Sequence, residues 1–331
     1  MVETMTQKER IAAALAGTDV DRVPVGLWRH FPSEDETPDG LFEATLRFHR
    51  SFDPDFVKLM PTGMYCVVDY GVQIEPTGDR GGTTRYVSGP IQEANDWERL
   101  PEISPGSGVL RDQVDVTRRV KDALGPDVPV IQTIFSPLTM ANKACGDEQV
   151  LASHLQDAPD QVCTALDQFT HDVIAFGRAC INAGADGFFF ATQLGNRSTL
   201  GETSYREFGV PYDTRILRAL RPDTWFTMLH LHGDQPIFEL ADEYPVDTVN
   251  WHDRETPPSL AEAHDRTERC LSGGIHRSGV VSSGPPDQIA TEVKDAIEQT
   301  GGRRLIIAPG CVIPCDTPDE HFRAARAAVS G

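Results

Sequence analysis

The chain has 331 residues, 39% of them hydrophobic and 24% charged, which is enough apolar material to bury a core and too much for a disordered or fibrous chain. Its 30 basic and 50 acidic residues leave a formal net charge of −20, so the average surface repels phosphate backbones and anionic lipid, and neither nucleic acid nor a membrane is an expected partner. No run approaches the roughly 18 uninterrupted apolar residues of a membrane span, and the polar opening MVETMTQKER lacks the order of a signal peptide. A cytoplasmic protein is expected, with its seven cysteines as free thiols or ligands rather than a disulfide frame.

Taken in chain order, a helix is predicted over Thr6–Ala16, then a strand over Val23–Trp28 and a second over Phe56–Met60. The Gly- and Thr-rich stretch Tyr70–Gln92, punctuated by PTGDRGG, reads as an inserted β-hairpin. Six more short β-branched or aromatic runs follow: Val128–Phe135, Gly187–Thr192, Trp225–His232, Val246–Trp251, Arg269–Gly274 and Arg304–Pro309. Between and after them lie helical patterns, the clearest being Pro159–Ala183, Gly201–Leu220, Pro236–Glu243, Pro286–Thr300 and Pro318–Val329. Eight strands alternating with helices predict an α/β fold, a single (β/α)8 TIM barrel with an extra N-terminal helix and an inserted hairpin, as one domain over residues 1–331.

In such a barrel the loops after the strands share one face, where the reacting groups are found. In order they offer Arg29 and His30, Pro61 and Thr62, Ser136, then Gln193, Asn196 and Arg197, then His230 and His232, then His252 to Arg254, His276 and Arg277, and finally Cys311 and Cys315. His230 and His232 are two apart on a strand and therefore share a face. Asp234 suits the N-cap of the helix expected to begin near Gln235. The run Ile306–Ala308 breaks at Pro309-Gly310 and delivers the Cys311 thiol just beyond the strand. Two imidazoles and one thiolate suit a three-point zinc site with an open fourth position, although His-x-His pairs also occur as hydrogen-bonded core histidines.

The blocks Gly184–Phe190, Tyr205–Tyr212, His230-Leu231-His232-Gly233-Asp234, Val246–Trp251 and Ala308–Pro314, with Asp21–Val25 near the start and Thr317–His321 near the end, resemble the uroporphyrinogen decarboxylase superfamily over nearly the whole chain. The resemblance implies a single TIM barrel and one of two chemistries. Decarboxylases of this superfamily use an arginine-rich loop after the first strand, an aspartate after the second and a histidine in the last loop. Arg29 is similar to the first of these, but Lys58–Gly63 holds no acid and Gly310 stands where the histidine is expected. The other branch comprises cobalamin-linked methyltransferases with zinc on a His-x-Cys pair and a last-loop Cys. His230 and Cys311 match two of these ligands and His232 replaces the third.

The resemblance therefore implies a zinc-dependent methyltransferase-like enzyme with His230, His232 and Cys311 as ligands. Its donor would be a methylcorrinoid, carried on a separate corrinoid protein, or a small methylated compound, and its acceptor a thiol. Exchanging a thiolate for an imidazole leaves a more positive site, which lowers the acceptor's pKa but also its nucleophilicity, and would suit activation of water as well. His252 is expected to orient a ligand, act as acid/base or ligate. Arg29, Arg197 and Arg277 are expected to anchor an anionic substrate, with Gln193, Asn196 and His276 beside them, while Cys315 is assigned to loop structure. Two other readings stay open: a carboxy-lyase acting on a tetrapyrrole or smaller polycarboxylate with Arg29 as clamp, and a non-catalytic barrel that binds a corrinoid or a partner protein.

Overall fold

The computed structural model describes residues 4–330. Nine strands form: β1 (Val57–Lys58), β2 (Gln73–Pro76), β3 (Thr84–Ser88), β4 (Val130–Phe135), β5 (Gly187–Thr192), β6 (Met228–Leu231), β7 (Thr248–Trp251), β8 (Cys270–Ile275) and β9 (Leu305–Pro309). Seven make one parallel sheet in the order β1-β4-β5-β6-β7-β8-β9, while β2 and β3 pair antiparallel as the inserted hairpin. Every residue of the parallel strands is buried. Strands covered on both faces read as near-continuous apolar runs, and that is why they are visible in the sequence.

The segment expected as the first strand, Val23–Trp28, lies between the two edge strands but forms only one bridge, Val25 to Ile307. On one side Gly26 N donates to Ile307 O and Ile307 N to Pro24 O; on the other Asp55 N donates to Val25 O. Pro24 has no N–H for a longer ladder. Phe56 packs so closely that a Cβ on Gly26 would lie 2.3 Å from its ring. Asp55 is fully buried and anchors the segment: it accepts from Val25 N at 2.7 Å, from Arg10 at 2.6 Å and from Arg22 at 2.6 and 2.8 Å.

The N-terminal helix is Gln7–Ala16, started by a Thr6/Glu9 capping box. The helix expected over Gly201–Leu220 is two helices, Glu202–Phe208 and Val210–Leu220, parted at Gly209 just before Pro211. The one expected over Pro236–Glu243 is a single turn, Leu240–Glu243 with Glu239 at its N-cap, so Asp234 does not cap it. The preceding residues are held by the strand-five loop instead: Arg197 N donates to Gln235 O at 2.9 Å, and Asn196 bridges to Pro236. Four helices of nine or more residues were not among those singled out in the sequence, Pro38–Phe52, Gly108–Leu124, Pro137–Cys145 and Glu148–Asp157. Among the described residues no helix is long and apolar enough to cross a membrane.

The hairpin folds over the ends of the parallel strands. Cys315 N donates to Arg80 O at 2.6 Å, Arg80 pairs with Asp316 at 2.7 Å, and a Cβ on Gly82, at φ +64°, would meet the Cys315 sulfur at 2.7 Å. Its tip thus roofs the mouth in which the histidines lie.

Candidate metal centre

Parallel register aligns β6 with β7 so that His230 stands opposite Asn250 and Asn250 opposite Ser272. Because side chains alternate along a strand, His232 and His252 each point to the same side as the strand residue two before them. Cys311 arrives from beyond β9, where Gly310 N donates to Ile275 O at 3.2 Å. Gly310 is needed there, since a Cβ would lie 2.8 Å from both His252 Cα and Trp251 O. One donor atom from each of His230, His232, His252 and Cys311 falls within 4.8 Å of all the others. The Cys311 sulfur is 3.7 Å from His232 Nδ1, and the imidazole centroids are 4.9 to 6.0 Å apart.

The surroundings orient these donors. Asn250 Nδ2 donates to Ser272 O at 2.8 Å and Pro309 O at 3.1 Å, which turns Oδ1 toward His230 Nδ1 at 2.6 Å. His230 therefore carries its proton on Nδ1 and presents the Nε2 lone pair to the cluster, the arrangement typical of a metal-ligating histidine. Burial pushes His230 down to about 4, partly opposed by Cys311, so the ring is neutral. Burial alone would push the Cys311 thiol up, but the three imidazoles that surround it, His230, His232 and His252, outweigh burial and hold the thiol well below its ordinary range. The buried His252 Nε2 has no hydrogen-bond partner.

His230 with its fixed tautomer, His232 and the Cys311 sulfur, whose pKa is held down, form a donor set that fits zinc, with the orphaned His252 nitrogen beside it. Zinc bonds of about 2.0–2.3 Å place tetrahedral ligand atoms roughly 3.3–3.8 Å apart, within reach of small side-chain rotations from the spacing observed.

The other residues singled out in the sequence are dispersed. Gln193 and Arg277 line the cavity beside the cluster, but Arg277 pairs with Glu255 at 3.0 Å. Arg197 is held by Glu202 and Glu239, both at 2.9 Å. Arg29 donates to the carbonyls of Cys315 and Thr317 and lies over Phe48 and Phe322, outside the cavity. Asn196 holds its own loop together, accepting from Ser198 N and Thr199 N. His276 N donates to Glu292 and its ring packs under Gly279. Cys315 Sγ donates to His30 O at 3.4 Å, away from the cluster.

Two residues that sequence reasoning passed over do face the site. Asn250 is one, and its signal was the Asn-x-His spacing that mirrors His230-x-His232 on the next strand. The other is Lys58, a lone charge in the apolar run Phe56–Met60 and only 8% exposed. Burial pushes it down to about 7, with the Cys311 charge opposing.

The curated proteins include two kinds of relative. Methylcobamide:CoM methyltransferase MtaA of Methanosarcina barkeri is 25% identical over 98% of this chain and 97% of its own. Uroporphyrinogen decarboxylase of Prochlorococcus marinus (strain MIT 9211) is 23% identical over 94% of this chain and 93% of its own. Among solved structures, a methyltransferase from Methanosarcina mazei superposes with a TM-score of 0.85 at 23% identity, covering 98% of both chains; it shares this TIM-barrel-like α/β fold. The family model for uroporphyrinogen decarboxylase (URO-D) matches residues 6–331, and this chain therefore belongs to the uroporphyrinogen decarboxylase family of enzymes.

Proposed function

We propose that the chain is a zinc-dependent methyltransferase-like enzyme that moves a methyl group from a corrinoid or small methylated donor to a thiol-type acceptor at the strand ends. The observation that carries this reading is the convergence of His230, His232, His252 and Cys311 within 4.8 Å. The MtaA likeness over nearly the full length agrees with it. Zinc bound here would supply the Lewis acidity that keeps an incoming thiol in its nucleophilic, deprotonated form. Asn250 holds the His230 tautomer. His252, whose Nε2 has no hydrogen-bond partner, would take the proton that the acceptor thiol gives up on binding; the sulfur lone pair would then form the bond to the methyl carbon while the electron pair of the methyl–donor bond leaves with the donor. The hairpin tip, through Gly81, Thr83 and Thr84, narrows the mouth and limits water. In the same reading Pro24–Gly26 closes the sheet into an eight-stranded barrel.

The carboxy-lyase alternative finds less support. Position 310, where its histidine would stand, has no room for a side chain, and Arg29 is spent on the carbonyls of Cys315 and Thr317. The test is the zinc content of the purified protein and of His230→Ala, His232→Ala and Cys311→Ala. One equivalent is expected in the parent and far less in each variant. Unchanged stoichiometry in all three would overturn the ligand assignment.

A further inference from the structure

Beside the cluster lies a cavity of about 330 Å³ whose lining includes Lys58, Lys143 and Arg277 and, among the described residues, no Asp or Glu. In a chain with 50 acidic and 30 basic residues, a mouth without a carboxylate is a local reversal of charge. Arg277 is already neutralised by Glu255, but the two lysines are not. Among the described residues neither has an ion-pair partner within 4.0 Å. Lys58 Nζ rests 4.2 Å from the centroid of Phe189, the ring on which His230 stacks at 4.9 Å, and 5.7 Å from that of Trp28; its one polar contact is the Met60 sulfur. Lys143, in the last turn of the helix Pro137–Cys145, rests 4.8 Å from the ring of Phe135. Thr84, on the hairpin strand β3, adds a buried hydroxyl with no hydrogen-bond partner to the same lining.

An ammonium taken out of water and left with aromatic faces alone is a net cost to the fold, because cation–π attraction offsets only part of the lost hydration. Lys58 is such a group, with the Cys311 sulfur as its one anionic neighbour, and the half-buried Lys143 shares its cavity; with an idle hydroxyl beside them, the two are complementary to an oxyanion brought by a ligand. Phe135 and Phe189 sit on the adjacent strands β4 and β5, with Phe135 two residues nearer the mouth than the Phe189 pairing level. Lys58 is thus the inner cation, one ring away from His230, and Lys143 the outer one. We propose that Lys58 and Lys143 form the anion-recognition side of this cavity, which therefore takes a small molecule bearing carboxylate groups, and that these lysines rather than Arg29, Arg197 or Arg277 select it. This inference rests on the reading that the cavity at the His/Cys cluster is the active site, but not on zinc being bound.

Isothermal titration of the purified protein, metal-free and zinc-loaded, with succinate and with its neutral isostere succinamide is the test. Succinate is expected to bind both forms at least about tenfold more tightly than succinamide, and Lys58→Met or Lys143→Met to weaken succinate by about tenfold or more, with Lys58→Arg retaining most of it. Melting temperature supplies a second readout. Lys58→Met should melt no lower than the parent, since methionine fills the space without a buried charge, whereas a purely structural lysine would lower it. The proposal falls if succinate fails to bind, if succinamide binds equally well, if the variants bind succinate like the parent, or if Lys58→Met melts markedly lower. Zinc content of the same samples separates the two readings. Lysine-dependent succinate binding in a protein whose histidine and cysteine variants keep their metal would leave this site standing and the methyltransferase reading fallen. Normal zinc loss in those variants with lysine-indifferent titrations would do the reverse.

Discussion

Asn250 Oδ1 lies 2.6 Å from His230 Nδ1 because two carbonyls, of Ser272 and Pro309, hold the other end of the same amide. A single side chain thus reads three neighbouring strands and passes the result to the imidazole as a fixed tautomer. Asn250→Ala is expected to weaken zinc binding by about 10- to 100-fold, measured by competition with a chromophoric chelator. Asn250→Asp separates the two roles. Its carboxylate still accepts the His230 proton, so zinc affinity is largely kept, but it cannot donate to the two buried carbonyls, and stability drops by about 1–3 kcal/mol in urea denaturation. Equal zinc affinity in the parent and Asn250→Ala would show that the bond does not orient His230.

Gly310 carries the approach of the last loop to His252. A methyl group there would sit 2.8 Å from the backbone at Trp251 and His252, atoms that cannot step aside. Gly310→Ala is therefore expected to shift Cys311 away from the imidazoles and cost about tenfold or more in zinc affinity, since a metal site tolerates displacements of only about 0.5 Å. Parent-like affinity in a folded Gly310→Ala protein would contradict that packing.

Asp55 ties the N-terminal helix to the sheet. It is fully buried, and its carboxylate receives Arg10, Arg22 and the Val25 amide. Asp55→Ala leaves Arg22 without its carboxylate and the Val25 amide without its acceptor, while Arg10, at 4% exposure, keeps only Asp21 as its carboxylate partner. The substitution is expected to cost about 3 kcal/mol in urea denaturation. A loss under 1 kcal/mol would mean that the pairs contribute little to holding Val23–Trp28 between the edge strands.

Much of this arrangement was legible in the sequence because it follows from local periodicity. Gly187–Thr192 has the same limits in pattern and in structure, and the two-residue spacing of His230 and His232 places them on one face. What local pattern cannot carry is who a charge meets. Arg197 and Arg277 look like free cations at strand ends until Glu239, 42 residues away, and Glu255, 22 residues away, fold onto them. Lys58 looks incidental until the fold encloses it. The turn at Pro236–Glu243 failed as a helix because Asn196 and Arg197, from another loop, claim the backbone of Gln235 and Pro236.

Asp213 provides a pH-dependent test of the core. It is fully buried, with one oxygen accepting from the Tyr205 hydroxyl at 2.5 Å and the Tyr244 hydroxyl at 2.8 Å. Burial pushes its pKa up from 3.8 to about 7, with the two hydroxyls opposing. A carboxyl whose native pKa is raised favours the fold while protonated, so its contribution is complete below about pH 4 and is lost as pH rises to about 7, at up to about 1.4 kcal/mol per pH unit. Asp213→Asn cannot ionise. The melting temperature of Asp213→Asn relative to the parent should therefore rise between pH 5 and pH 8, whatever the fixed cost of the substitution. A difference that stays constant across that range, or that falls, would show that Asp213 is already ionised in the native protein at pH 5.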